Sequence, residues 1–128
     1  MFAKDQNQLE TIIGGNTKLE GSISTKGTIK VDGRINGSVE TDWIILGEKS
    51  YLKGNITATG VVVAGYVEGD ITAKELVEIK RSGQVRGDIS TSKLVVIEGG
   101  FVDGQVSMQK EGSKVVELKD KARESSSQ

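Results

Sequence analysis

The stretch Val67–Ala73 reads VEGDITA, and the chain repeats its shape as LKGNITA from Leu52, VRGDIST from Val85 and VDGQVSM from Val102. Anchored on its glycine, the phrase extends upstream as well. Gly21, Gly37, Gly54, Gly69, Gly87 and Gly104 stand 16, 17, 15, 18 and 17 residues apart. Two residues before each glycine stand Leu19, Ile35, Leu52, Val67, Val85 and Val102. Two residues after stand Ile23, Val39, Ile56, Ile71, Ile89 and Val106. Every flanking position is aliphatic, a regularity that chance does not produce.

A second apolar pair leads into each phrase: Ile29 and Val31, Ile44 and Leu46, Val61 and Val63, Val77 and Ile79, Leu94 and Val96. The first turn begins alike, with Thr11 and Ile13 before Leu19. Length varies chiefly between pair and anchor. DG and AG fill the short turns there, and GEKS, KRSG and IEGG the long ones. Such variation belongs at a surface corner.

Alternation at period two means strand. Short strands recurring about every 17 residues predict a coil of three strands wound repeatedly, each coil bonding to the next. The expected fold is all-β: a single-domain, right-handed, three-sided parallel β-helix of about six coils. At ~4.8 Å per coil the rod is on the order of 29 Å long. The domain is placed at residues 11–108, with residues 1–10 and 109–128 expected as disordered tails.

Stacking turns the repeat into ladders. Leu19 to Val102 forms one, Ile23 to Val106 another. A third is small until its end: Thr25, Thr41, Ala58, Ala73, Thr91, Met108. The repeated glycine shares the inward parity. Either the narrow cross-section has no room there for a side chain, or the glycine marks a bulge. Outside, the series Glu20, Asn36, Lys53, Glu68, Arg86, Asp103 alternates in sign from Lys53 onward, which predicts a stabilising cross-strand charge ladder. Asp70 stands beside Asp88. Paired carboxylates can hold a cation, but a solvated mild repulsion is the preferred reading. Trp43 reads as a surface or corner packing residue.

Composition excludes several functions. His is absent, which removes the commonest general base and metal ligand. Cys is absent too, so there is no disulfide framework and no thiolate nucleophile. A hexapeptide-solenoid acyltransferase, the main enzyme alternative, relies on histidine as general base. The net charge of −1 argues against nucleic acid. No phosphate-cradling glycine motif occurs, so no nucleotide or other cofactor is expected. A regular threonine array for ice binding is broken by Lys26, Glu40 and Asp42. No apolar run reaches the ~18 residues of a membrane span, and MFAKDQNQ lacks the apolar core of a secretory signal. A cytoplasmic, non-enzymatic protein is expected.

The opening TIIGG, the internal VVVAGYVEGDITA and the closing GGFVDGQVSM resemble the bactofilins, over roughly Glu10 to Met108. The resemblance implies a bacterial cytoskeletal scaffold: a right-handed, three-sided β-helix with disordered tails that polymerises without nucleotide into non-polar filaments. It further implies attachment to the inner face of the membrane through the N-terminal tail, and recruitment of cell-wall-related proteins.

The ends of such a rod carry the function. An uncapped β-helix terminates in unpaired N–H and C=O groups over an open apolar column, and such an edge templates pairing. Solenoids that stay monomeric usually carry polar caps, and none is legible here. Pro, which blunts strand edges, is absent. The expected polymerisation interface is Ile13, Leu19 and Ile23 at one end and Phe101, Val102, Val106 and Met108 at the other. Met1, Phe2 and Lys4 are the expected membrane contacts: two apolar residues to insert and one cation for anionic lipid, weak singly and strong along a polymer. The alternative is a monomeric solenoid adaptor that binds protein partners.

Overall fold

The computed structural model describes residues 9–108 and 114–118, and for residues 9, 10 and 114–118 the backbone alone. Every described element is a strand, and every strand pairing is parallel. The first coil is β1 (Leu9–Ile13), β2 (Lys18–Glu20) and β3 (Ile23–Ser24). The second is β4 (Thr28–Val31), β5 (Arg34–Asn36) and β6 (Val39–Glu40). Next come β7 (Trp43–Leu46), β8 (Tyr51–Lys53) and β9 (Ile56–Val63), which runs round a corner into the fourth coil. After β10 (Tyr66–Glu68), β11 (Ile71–Ile79) turns the same corner. The series closes with β12 (Gln84–Arg86), β13 (Ile89–Thr91), β14 (Lys93–Ile97), β15 (Phe101–Asp103), β16 (Val106–Met108) and β17 (Lys114–Leu118).

Pairing sorts these strands onto three faces. The first face carries β1, β4, β7, the second halves of β9 and β11, then β14 and β17. The second carries β2, β5, β8, β10, β12 and β15. The third carries β3, β6, the first halves of β9 and β11, then β13 and β16. The fold is the three-sided parallel solenoid that the repeat predicts.

Identical positions stack in register. Ile35, Leu52, Val67 and Val85 pair successively across the second face and are at most 1% exposed. Val39, Ile56, Ile71 and Ile89 do the same on the third. The lead-in pairs, from Ile29 and Val31 to Val77 and Ile79, line the first face from inside and are fully buried. One continuous apolar column results, assembled from sets too small to be buried within a single coil.

The repeated glycine owes its place to backbone proximity. Gly37, Gly54, Gly69, Gly87 and Gly104 have φ between +146° and +154°. A Cβ on each would overlap the carbonyl of the glycine one coil below. Both conditions exclude an L side chain. The N–H of each up to Gly87 also donates up the rod, as from Gly54 to the Glu68 carbonyl at 2.9 Å and from Gly69 to that of Arg86 at 2.9 Å. There is no room for a side chain, but the obstruction is the coil below rather than a narrow cross-section.

Two exterior patterns differ from expectation. Asp70 and Asp88 are engaged with backbone: the Asp88 N–H donates to Asp70 Oδ1 at 3.2 Å, and the Gln105 N–H donates to Asp88 Oδ1 at 3.1 Å. With the Asp70 N–H on Asn55 Oδ1 at 3.2 Å, the corner after the glycine is a side-chain-to-backbone ladder. The charge series from Lys53 to Asp103 is in register. The ion pairs among the described residues, however, lie elsewhere, between residues two apart on one chain segment: Lys18–Glu20 at 3.9 Å, Lys30–Asp32 at 3.1 Å and Glu78–Lys80 at 3.0 Å. Glu68 instead accepts from the hydroxyls of Tyr51 and Tyr66, at 3.4 and 3.5 Å.

The strands also pass the expected domain edges. β1 begins at Leu9, and β17 lies within the segment expected as a C-terminal tail. Val115, Val116 and Leu118 are too few for a helix, which must nucleate itself. A strand added to the ready edge of β14 needs no nucleus, and Lys114–Leu118 pairs there along its whole length.

Candidate polymerisation interface

The described strands leave two open ends. β1, β2 and β3 each pair on one side only, as do β15 and β16. The series of glycine donors that climbs the rod reaches Asp103 through the N–H of Gly87 at 3.0 Å. Among the described residues no strand follows β15 to receive the next bond.

Exposure changes sharply at these ends. On the second face Val85 is 0% exposed, whereas Val102, its partner one coil on, is only half-buried. On the third face Ile89 is 1% exposed and its partner Val106 is 38% exposed. Met108 is half-buried above fully buried Thr91. Phe101, which pairs with Gln84 at the second-face exterior, is 47% exposed. At the opposite end Leu19 and Ile23 are half-buried, while Ile35 and Val39 above them are at most 1% exposed. Ile13 differs from its group: it is 5% exposed and belongs to the core. The seven residues thus fall into two clusters, on the first and last full coils, separated by about 24 Å of rod.

The C-terminal end is stepped. β17 raises the first face one rung above β15 and β16. Val96 pairs with Glu117, so a glutamate takes the register position that Ile79 and Val63 hold lower on that face. The sequence hinted at this only through the apolar residues of KVVEL, which match the spacing of the lead-in pairs. Met1, Phe2 and Lys4 lie outside the described residues.

Among the described residues, the rest of the surface offers no competing constellation of reactive groups. On the second face Arg34 lies 5.1 Å from the centre of the Tyr51 ring, which stacks on Tyr66 at 4.9 Å. Desolvation and the Glu68 carboxylate push the Tyr66 phenol above its ordinary pKa. A groove of about 420 Å³ runs along the corner between third and first faces. Its Asp42 accepts from the Gly27 N–H at 3.1 Å, and its Thr41 hydroxyl donates to the Gly27 carbonyl at 3.0 Å. Among the described residues no cluster of acidic groups is placed to hold a metal. None of their elements is a helix long and apolar enough to cross a membrane.

The family described as "Bactofilin: Polymer-forming cytoskeletal" matches residues 11–107. Bactofilin BacP of Myxococcus xanthus (strain DK1622) is 29% identical over 108 residues, which cover 84% of this chain and 45% of BacP. Bactofilin BacO of the same organism is 30% identical over 104 residues, covering 77% of this chain and 79% of BacO. The chain therefore spans less than half the length of one relative and most of the other. No solved structure matches.

Proposed function

The chain belongs to the bactofilin family of polymer-forming cytoskeletal proteins, and from that premise we propose that it assembles end to end into non-polar filaments without nucleotide. The observation that carries this reading is the contrast along each ladder. Positions buried in the middle of the rod are open on its terminal coils, where β2, β3, β15 and β16 have no second neighbour among the described strands. Stacking a copy on such an end restores both the ladder bonds and the burial. Fully burying an aliphatic side chain contributes about 1.5–3 kcal/mol, against an association cost of ~4–15 kcal/mol. Several half-buried side chains together with backbone bonds bring the balance near zero or below it, and neither contribution requires a fuel. Ile13, Leu19 and Ile23 would form one contact and Phe101, Val102, Val106 and Met108 the other, with Ile13 acting from within. Purified protein imaged by electron microscopy without nucleotide should show filaments. A monodisperse particle at high concentration would end the proposal.

The polymer would lie at the inner face of the cell membrane, held by Met1, Phe2 and Lys4, and organise cell shape or cell-wall factors. Phe2 and Met1 supply too little apolar surface to anchor one chain, but many copies on one filament bind with avidity. Full-length chain should co-sediment with anionic liposomes, and a version lacking residues 1–10 should remain in the supernatant. Equal binding would remove the tail from the account.

A second reading, a monomeric adaptor, draws support from β17, which covers the edge of β14. It predicts that the protein sediments as one species with no pelletable fraction.

A further inference from the structure

The exterior of the first face has an order that end-to-end growth does not use. One outward position climbs it as Ile12, Lys30, Ile45, Val62, Glu78 and Val95, in register on six successive strands. All six are partly or fully exposed, and Ile12 is 65% exposed. β17 carries the same register position one rung further, at Val116; the six positions from Ile12 to Val95, read backwards, are apolar where they were apolar and charged where they were charged, with the sign reversed, and Val116 overhangs the match by one rung. Laid against its own reverse, Ile12 meets Val95, Lys30 meets Glu78, and Ile45 meets Val62.

The position two residues on repeats the pattern. Asp32 lies beside Lys30 at 3.1 Å and Lys80 beside Glu78 at 3.0 Å, so reversal also sets Asp32 against Lys80. Between them stand Gly47 and Ala64, small enough for two surfaces to approach. Two residues before the central pair stand Trp43 and Gly60, which share a register position. A Cβ on Gly60 would overlap the Trp43 ring, so the indole of one strand already covers the gap left by the other.

We propose that this face pairs with the same face of a second copy, the two rods antiparallel about a two-fold axis that runs along the strands between β7 and β9. A self-complementary patch is what an isologous contact requires. The antiparallel orientation follows from charge. With the rods parallel and related by a two-fold along the rod through this column, Lys30 would face Lys30 and Glu78 would face Glu78. A lipid surface fits less well, because Lys30 and Lys80 are balanced by Asp32 and Glu78 and leave no net positive charge for anionic headgroups. Sheets pack face to face at about 10 Å, a gap that a lysine and a glutamate reaching towards each other span. The strip measures about 24 by 13 Å, well below the ~800 Å² per partner of a stable interface. Single chains therefore pair transiently, and chains strung into a filament pair by multivalency.

Carbodiimide crosslinking tests the arrangement, whether or not the chain forms filaments. Lys30 and Glu78 are three rungs apart in one chain, about 14 Å along the rod, so a zero-length bond between them must join two chains. Mixed ¹⁴N- and ¹⁵N-labelled protein should yield isotopically mixed Lys30–Glu78 and Asp32–Lys80 links. K30E alone and E78K alone each set like charges opposite one another at both ends of the strip. Each should lower the Asp32–Lys80 link, which both variants retain, by about tenfold. An equimolar mixture of the two variants restores opposite charges at both ends and should recover the link. Because each variant's own fold is the same alone and mixed, recovery cannot be a folding effect. Absence of both links from wild-type protein, or variants that crosslink as well alone as mixed, would overturn the proposal. So would a blue shift of Trp43 emission on phosphatidylglycerol vesicles without any link, which would assign the face to lipid.

Discussion

Val102→Arg leaves the rod folded and ends assembly at its C-terminal tip. Val102 sits on the last full coil, half-buried, at the end of a ladder whose inner members are at most 1% exposed. An arginine there can lay its stem along the apolar column and keep its guanidinium in water. Docking a copy would remove that water. An unpaired charge buried at an interface costs several kcal/mol, and 3–4 kcal/mol corresponds to a loss of about 10²–10³-fold in association. Sedimentation velocity should show the long species gone while circular dichroism keeps the β signature. If the ends meet like with like, the product is a dimer joined through Leu19 and Ile23. Filaments of unchanged length would dissociate this end from assembly.

Ile71→Arg gives the opposite result: the rod itself is lost. Ile71 is 1% exposed and stands in register between Ile56 below and Ile89 above. No direction leads its side chain to water. The substitution forfeits about 1.5–3 kcal/mol of burial and adds the cost of a buried, unpaired cation, of the order of 3–5 kcal/mol. Domains are commonly stable by only ~5–15 kcal/mol. Neighbouring coils support each other, so the damage spreads from the middle of the stack. The β signature at 25 °C should fall and the cooperative melt disappear. The same change at the tip and at the centre thus separates an interface from a core. A normally melting Ile71→Arg chain would contradict the stacked column.

Much of this was legible in one dimension because the fold is close to one-dimensional. The aliphatic residues on either side of each glycine recur with the coil. Stacking converts recurrence directly into contact, so Leu52 and Val67 could be paired by counting alone. The last full coil, ending at Met108, was legible too. Side-chain partners at the surface were not. Asp70 and Asp88 looked like repelling carboxylates until their acceptance of backbone N–H groups was visible, and Glu68 turned to two tyrosines rather than to Lys53 or Arg86. Lys114–Leu118 escaped notice because an added strand draws its stability from the edge it joins, which local composition does not record.

Periodicity in the residues was therefore enough to establish the solenoid, its ladders and its coil count, because burial at a fixed repeat leaves a fixed imprint. Folding in three dimensions was needed to settle why each anchor is glycine, to step the C-terminal end, and to bring Ile12, Lys30, Ile45, Val62, Glu78 and Val95 into a single outward line. Those features depend on which coil lies above which and at what distance, and that information exists only once the backbone has closed on itself.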